Sequence, residues 1–348
     1  MSGDPEDIQR RTFIATVATA AGTGTIGDRL LMGAEAETEP ASGRQPQKSA
    51  KEPFRGIFTI PCTTFREDGE VDLPSFRREI DFCIACGAHG LVFPVNASEW
   101  TSLSDAERIQ LDQILVEQNA GRIPTVIGVA AAAAEVAARF AAHAREIGAD
   151  AVIALPPRGV GEMPVIFDYY RRISDAGRLP VFIQNHDAPV GTPMAPEFLI
   201  RLCREIEHVK YIKEETASST FKMTAVLEGG RGVSKGVFGG AGGRYLLDEH
   251  QRGCSGQMPG CHVTDVVVAL WNALEKGDDA KAMHIYKEMA PLFFFENQIS
   301  TYKEVLYRRG VISCPLRRNG AVRFDEFATR YLTRILKDLQ PLMTWNRA

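Results

Sequence analysis

The chain of 348 residues has no run of about 20 uncharged apolar residues, which excludes an ordinary membrane-spanning helix. It has no charge excess of use to a polyanion. Forty Lys and Arg stand against 44 Asp and Glu, a net charge of −4, so the basic face that nucleic acid requires is absent. None of its seven histidines stands in H-x-x-x-H or H-x-H spacing, and no Cys-x-x-Cys is followed by a second ligand pair, so the spacing implies no metal. The seven cysteines are odd in number and irregular in spacing, which is not a disulfide framework. Cys83 and Cys86 lie in an apolar helical run, where residues three apart share a face, and they read as buried thiols. What the chain does have is ordinary globular material, 45% apolar and 24% charged, enough for one large domain or two smaller ones.

Residues 1–52 differ from the rest. Arg10-Arg11 precedes Thr12-Phe13-Ile14, a small-residue run follows, and Ala34-Glu35-Ala36 has the shape of a cleavage site. This is similar to a twin-arginine export signal and sets an expectation of a periplasmic protein; a frayed N-terminal helix on a cytoplasmic protein is the plain alternative. Residues 37–52 are polar and rich in Pro and Ser, as in a linker. The expected organisation is therefore a signal over 1–36, a linker over 37–52, a barrel over 53–275 and a C-terminal helical extension over 276–348.

From residue 53 on, short apolar runs alternate with segments of helical period. Strands are expected at 56–63, 91–95, 124–129, 151–156, 180–185, 209–213, 232–239 and 256–258. Their ends recur every 19–34 residues. A βα unit repeated eight times predicts a (β/α)8 barrel rather than an open sheet. Ser104-Asp105-Ala106-Glu107 is a capping box that opens a helix to Asn119, and helices are also expected over 131–147, 263–275, 279–296 and 324–340.

A barrel puts its chemistry at the carboxyl ends of its strands. The sixth expected strand closes on Lys213. Alternation puts Val209, Tyr211 and Lys213 on one face, with Lys210 and Ile212 on the other. A lysine in a poorly solvated mouth can act as a neutral amine and form a Schiff base with a ketone. A surface lysine is the commoner fate. The second strand ends in Asn96-Ala97-Ser98-Glu99, a small polar turn whose N–H groups and Ser98 hydroxyl could hold a carboxylate. The fifth ends in Gln184-Asn185-His186-Asp187, the seventh in Gly239-Gly240-Ala241-Gly242-Gly243, where glycines allow close backbone approach to a ligand. Arg158, after the fourth strand, could clamp a carboxylate or hydroxyl. Glu214 and Glu215 could tune Lys213, although such residues more often pair with neighbours or face solvent.

Taken in order, these segments resemble the pyruvate-dependent Schiff-base lyases, the superfamily of dihydrodipicolinate synthase and N-acetylneuraminate lyase. The resemblance runs over about 53–340 and rests on Gly56 to Phe65, Ser98-Glu99 with Leu103, Leu179-Pro180 to Asn185, Ile212-Lys213-Glu214 and Glu296-Asn297 to Lys303. It implies a TIM barrel, a covalent Schiff base on Lys213 with no separate cofactor, a small 2-keto acid as substrate, and a homo-tetramer or homo-dimer. The departures are specific. Gln184 stands where the family has its catalytic tyrosine, Asn96-Ala97-Ser98 replaces the two-threonine turn, and Pro157-Arg158 replaces a Tyr-Tyr pair. A phenol can donate and accept a proton, whereas an amide only hydrogen-bonds. One branch, the L-2-keto-3-deoxyarabonate dehydratases, is similar in the Asn-x-Ser-Glu turn, the strand ending in Gln, and the terminal Leu339-Gln340-Pro341-Leu342 with Trp345. The expectation is a dehydratase of a 2-keto-3-deoxy sugar acid. Lys213 and Gln184 would be catalytic, and Asn96, Ala97, Ser98, Arg158, Gly239 and Gly240 would contact substrate, with no residue assigned as base. The alternatives are a pyruvate-dependent aldolase or the lysine-pathway synthase, and a barrel that only binds 2-keto acids.

Overall fold

A computed structural model describes residues 53–295, 298–320 and 322–345. The expected signal and linker, and the Glu296-Asn297 pair, lie outside the described residues.

Eight parallel strands pair in sequence order and close on themselves. They are β1 (Gly56–Thr59), β2 (Gly90–Phe93), β3 (Thr125–Gly128), β4 (Ala151–Ala154), β5 (Val181–Asn185), β6 (Val209–Glu214), β7 (Gly236–Gly239) and β8 (Gly256–Gln257). Between and after them run α1 (Leu73–Ala85), α2 (Asp105–Asn119), α3 (Ala134–Glu146), α4 (Met163–Gly177), α5 (Pro196–Glu205), α6 (Ser219–Gly229), α7 (Leu246–Gln251) and α8 (Thr264–Glu275). The extension adds α9 (Asp279–Phe293), α10 (Gln298–Arg308) and α11 (Glu326–Leu339). All eight strands stand where the apolar runs put them. Several are shorter than expected because the chain leaves the ladder early: after one bridge from Ile60 to Gly260 residues 61–63 no longer pair, and 232–233 belong to a turn.

The two faces of each strand feed two separate cores. Ile57, Leu91, Ile127, Val152, Ile183, Ile212 and Val237 face outwards and pack on the helices. Phe58, Val92, Val126, Ile153, Phe182, Tyr211 and Phe238 fill the barrel interior. Phe54, just before β1, closes the lower end, its ring 5.1 Å from Tyr211, while Tyr211 stacks on Phe182 at 4.5 Å. The Phe54 N–H donates to the Tyr211 hydroxyl at 3.2 Å.

One detail of β6 corrects the expected alternation. Val209 faces the outer core, not the same side as Tyr211. The ladder to β5 shifts register between Val181 and Phe182, pairing them with Val209 and Tyr211, so Lys210 is an extra residue. Such a bulge re-aims the side chains that follow it. Beyond it the period of two holds, and Tyr211 and Lys213 point inwards.

The capping box opens α2 as expected, with the Ser104 and Glu107 side chains each meeting the other's backbone N–H. The extension is tied to the barrel through charge. Arg309 meets Asp265 on α8 at 2.6 Å, Asp265 also accepts the N–H groups of Thr344 and Trp345, and the Trp345 indole rests edge-on against Phe82 of α1. Among the described residues no helix is long and apolar enough to cross a membrane.

Candidate active site

Lys213 sits one layer above the aromatic floor, 2% exposed, opposite Gln184 of β5 and Phe238 of β7 in register. Two residues further on, the same alternation brings Glu215 to the same side. Its Oε2 lies 3.0 Å from Lys213 Nζ and accepts a 2.6 Å hydrogen bond from Gln184 Nε2. Its Oε1 accepts from the Ala241 N–H at 3.2 Å. Burial by itself would push this carboxyl up. The Lys213 cation, the Gln184 amide and His186 together outweigh burial and hold it below the usual glutamate range. A carboxylate therefore stands ready beside the amine.

Glu214, on the opposite face, is not part of this group. It accepts from Asn185 Nδ2 at 2.7 Å and from the Thr216 N–H at 2.9 Å, and burial raises its pKa. It locks the end of β5 to the end of β6.

The glycines after β7 serve these carboxylates. A Cβ on Gly240 would come 2.1 Å from Glu215 Oε1, and one on Gly239 would come 2.0 Å from Glu249 Oε2 of α7. At both glycines the side on which a Cβ would stand is filled by the protein's own acids. Glu249 is buried, takes a 2.9 Å hydrogen bond from Gln257 Nε2, and is pushed up to about 8 by burial and by the neighbouring anions Glu215, Asp248 and Glu214. Gln257 also donates to the Gly240 carbonyl at 2.5 Å.

The turn after β2 is a single 3-10 turn over Asn96–Ser98. The Ser98 hydroxyl is fully buried and donates to the Pro61 carbonyl at 2.7 Å, so it faces the wall and not a ligand. That corrects the expected role of Ser98. The opening N–H groups of the turn, at Asn96 and Ala97, are the donors that remain, as at any helical N-terminus. Asn96 Oδ1 accepts from the Trp100 indole at 3.2 Å. Beneath the turn Glu99 forms ion pairs with fully buried Lys303 of α10 and, at 3.5 Å, with Arg317. It is a structural anchor, held in the left-handed region at φ 56°.

Asn96, Glu99, Trp100, Arg158, His186 and Arg317 line a cavity of about 260 Å³ at the mouth. The exposed Arg158 guanidinium lies over the Trp100 ring at 5.6 Å. Two guanidinium groups, Arg158 and Arg317, share this cavity with the single carboxylate of Glu99. The mouth is suited to an anion. His186 reaches this cavity, while Asp187 accepts the Ala217 N–H at 2.6 Å and pins the loop after β6.

The model of the Dihydrodipicolinate synthetase family matches residues 53–339. The chain belongs to that family. Among its relatives is the L-2-keto-3-deoxyarabonate dehydratase of Azospirillum brasilense, 33% identical over 83% of this chain and 96% of that protein. Another, from Escherichia coli strain K12, is named as a 2-dehydro-3-deoxy-D-pentonate aldolase and is 29% identical over 69% of this chain and 80% of its own length. A Pseudomonas aeruginosa crystal structure titled as a dihydrodipicolinate synthetase superposes with a TM-score of 0.77 at 26% identity, covering 82% of this chain and 99% of that one. The protein is accordingly a lyase of this family. Its members work through a lysine Schiff base and need no external cofactor.

Sequence reasoning left the base unassigned. Glu215 is the carboxylate set beside Lys213, and one signal could have found that placement: continuing the alternation Tyr211, Lys213 by one more step reaches Glu215.

Proposed function

We propose that this lyase dehydrates a 2-keto-3-deoxy sugar acid through an imine on Lys213, with Glu215 as the proton carrier. The observation that carries the reading is the Lys213–Glu215–Gln184 group. An amine must lose its proton to attack a ketone, and Glu215 Oε2 is 3.0 Å away to take it. Attack on C2 forms the C–N bond, one nitrogen proton passes to the C2 oxygen, and the proton returned by Glu215 lets that oxygen leave as water, with the protonated imine remaining. Glu215 then removes a proton from C3, where the protonated imine has made the C–H bond acidic. The resulting enamine expels the C4 oxygen, which takes a proton from Glu215 and leaves as water. Hydrolysis of the imine frees Lys213, and the net change is loss of one water from the substrate.

Gln184 supports this chemistry better than a tyrosine would. An amide has no proton to give or take, so it fixes Glu215 Oε2 and leaves a single acid–base group at the site. The substrate carboxylate is read as meeting the Asn96 and Ala97 N–H groups, with its hydroxylated tail in the mouth beside Arg158. Similarity to the dehydratase of Azospirillum brasilense supports the same reading.

The test is borohydride reduction of the full chain with pyruvate and with 2-keto-3-deoxypentonates, followed by peptide mass mapping and product analysis. An adduct on Lys213 and a dehydrated product are expected. Release of pyruvate would assign aldol cleavage instead, in the manner of the Escherichia coli relative's name. No adduct with any 2-keto acid would leave only a binding barrel.

Two wider readings go with this proposal. The Arg10-Arg11 segment supports export to the periplasm by the twin-arginine route. The family resemblance supports a homo-oligomer, which sedimentation of the purified chain would test.

A further inference from the structure

Behind the wall that carries the Ser98 turn lies a second cluster of reactive side chains, which the proposed reaction does not use. Cys62 follows β1, Glu79 and Cys83 stand on α1, and Cys261 follows β8; all four are fully buried. One donor atom each from Cys62, Glu79 and Cys261 lies within 4.8 Å of the others. The Cys261 thiol donates to Glu79 Oε1 at 2.9 Å. Glu79 Oε1 also accepts the Cys62 N–H at 3.0 Å. Its other oxygen, Oε2, is buried with no hydrogen-bond partner among the described residues.

We propose that Cys62, Cys261 and Glu79 bind a soft divalent metal ion of the zinc class. Thiolate and carboxylate are zinc ligands, and tetrahedral Zn–S and Zn–O bonds put the donor atoms about 3.5–3.8 Å apart. The contacts here, from 2.9 Å to the 4.8 Å limit, bracket that spacing. Two thiolates and a carboxylate around a divalent ion would carry one net negative charge, and the Lys303 cation acts on both Cys62 and Glu79. The unpartnered Glu79 oxygen is the mark of a missing cation: a carboxylate buried among thiols and lacking a partner is costly, whereas metal binding exchanges the thiol protons for the ion. No regular spacing in the sequence announces the set, since its ligands come from β1, α1 and β8 and meet only through barrel closure. The ion would brace the active-site wall without touching substrate, because Pro61, which takes the Ser98 hydroxyl, directly precedes Cys62.

The full chain produced with Co2+ in place of Zn2+ tests this by spectrum and by metal content. One cobalt per chain is expected, with a thiolate charge-transfer band in the near ultraviolet and tetrahedral d–d bands in the visible. Cys62→Ser with Cys261→Ser should lower bound metal at least about tenfold and abolish the band, whereas Cys203→Ser, at a buried thiol outside the cluster, should change neither. Absence of the band from the folded wild-type chain overturns the proposal, even if the double variant fails to fold. So does metal retained by the folded double variant.

Discussion

Gly240 and Glu215 touch so closely that a single methyl group cannot be placed between them: a Cβ at Gly240 would fall 2.1 Å from Glu215 Oε1 and 2.3 Å from its Cγ. The three nearest atoms that a Cβ at Gly240 would meet all belong to Glu215. Gly240→Ala is expected to displace Glu215 from Lys213. The cost in stability should be about 1–3 kcal/mol, typical of overpacking, with kcat lowered on the order of a hundredfold. Steady-state kinetics beside a denaturation curve would check this. Unchanged kcat would mean that Glu215 is not held by this contact.

Glu215→Gln keeps the shape and removes the proton carrier. A fall in kcat of about 10²–10⁴ is expected, the usual yield of a positioned general base. Borohydride should still trap pyruvate on Lys213, more slowly. Normal turnover by this variant would remove Glu215 from the mechanism.

Glu249 gives the protein a pH-dependent stability. Its carboxyl rises from the usual 4.5 to about 8 in the fold. Between those values the folded chain keeps a proton that the unfolded chain has released. Stability from this group is therefore full below about pH 4.5 and declines as pH rises towards 8. At roughly 1.4 kcal/mol per pH unit the decline is at most about 5 kcal/mol. Urea denaturation at pH 5, 6.5 and 8 should show the fall, and Glu249→Gln, neutral throughout, should flatten it. Equal slopes in both proteins would exclude Glu249 as the source.

The Glu99–Lys303 pair is buried on both sides, at 2% and 0% side-chain exposure. Lys303→Met leaves Glu99 with the more distant Arg317. A loss of about 3 kcal/mol is expected, since removing one partner of a buried pair strands the other charge. Adding Glu99→Gln should recover part of it. A double-mutant cycle in chemical denaturation measures the coupling, and a coupling near zero would contradict the anchor.

Replacing Arg10 and Arg11 by lysine should keep the full chain in the cytoplasm, because the twin-arginine route reads that pair. Cell fractionation decides it: equal periplasmic amounts of both chains would show that the pair is not used.

The barrel was legible because its signal is local and repeated. Each strand is an apolar run of fixed character, and each helix carries its own period and caps. Lys213 was legible for the same reason, since it ends a strand and the barrel makes strand ends functional. What escaped the sequence depends on contacts between distant segments. The bulge at Lys210 exists only relative to β5. The Ser98 hydroxyl turns to the wall because Pro61, 37 residues earlier, offers a carbonyl there. The significance of Glu215 arises from Gln184, Ala241 and Gly240, which lie on β5 or beyond β7 and have no sequence relation to Glu215. Gly239 and Gly240 carried the right signal, close approach, but the approaching group is internal.

The aromatic floor formed by Phe54, Phe58, Phe182, Tyr211 and Phe238 fills the barrel below Lys213 among the described residues. On the proposed reading, substrate and product share the mouth beside Arg158. A spent molecule thus stands in the path of the next arrival, so turnover slows as product accumulates, and slows in competition with substrate rather than independently of it.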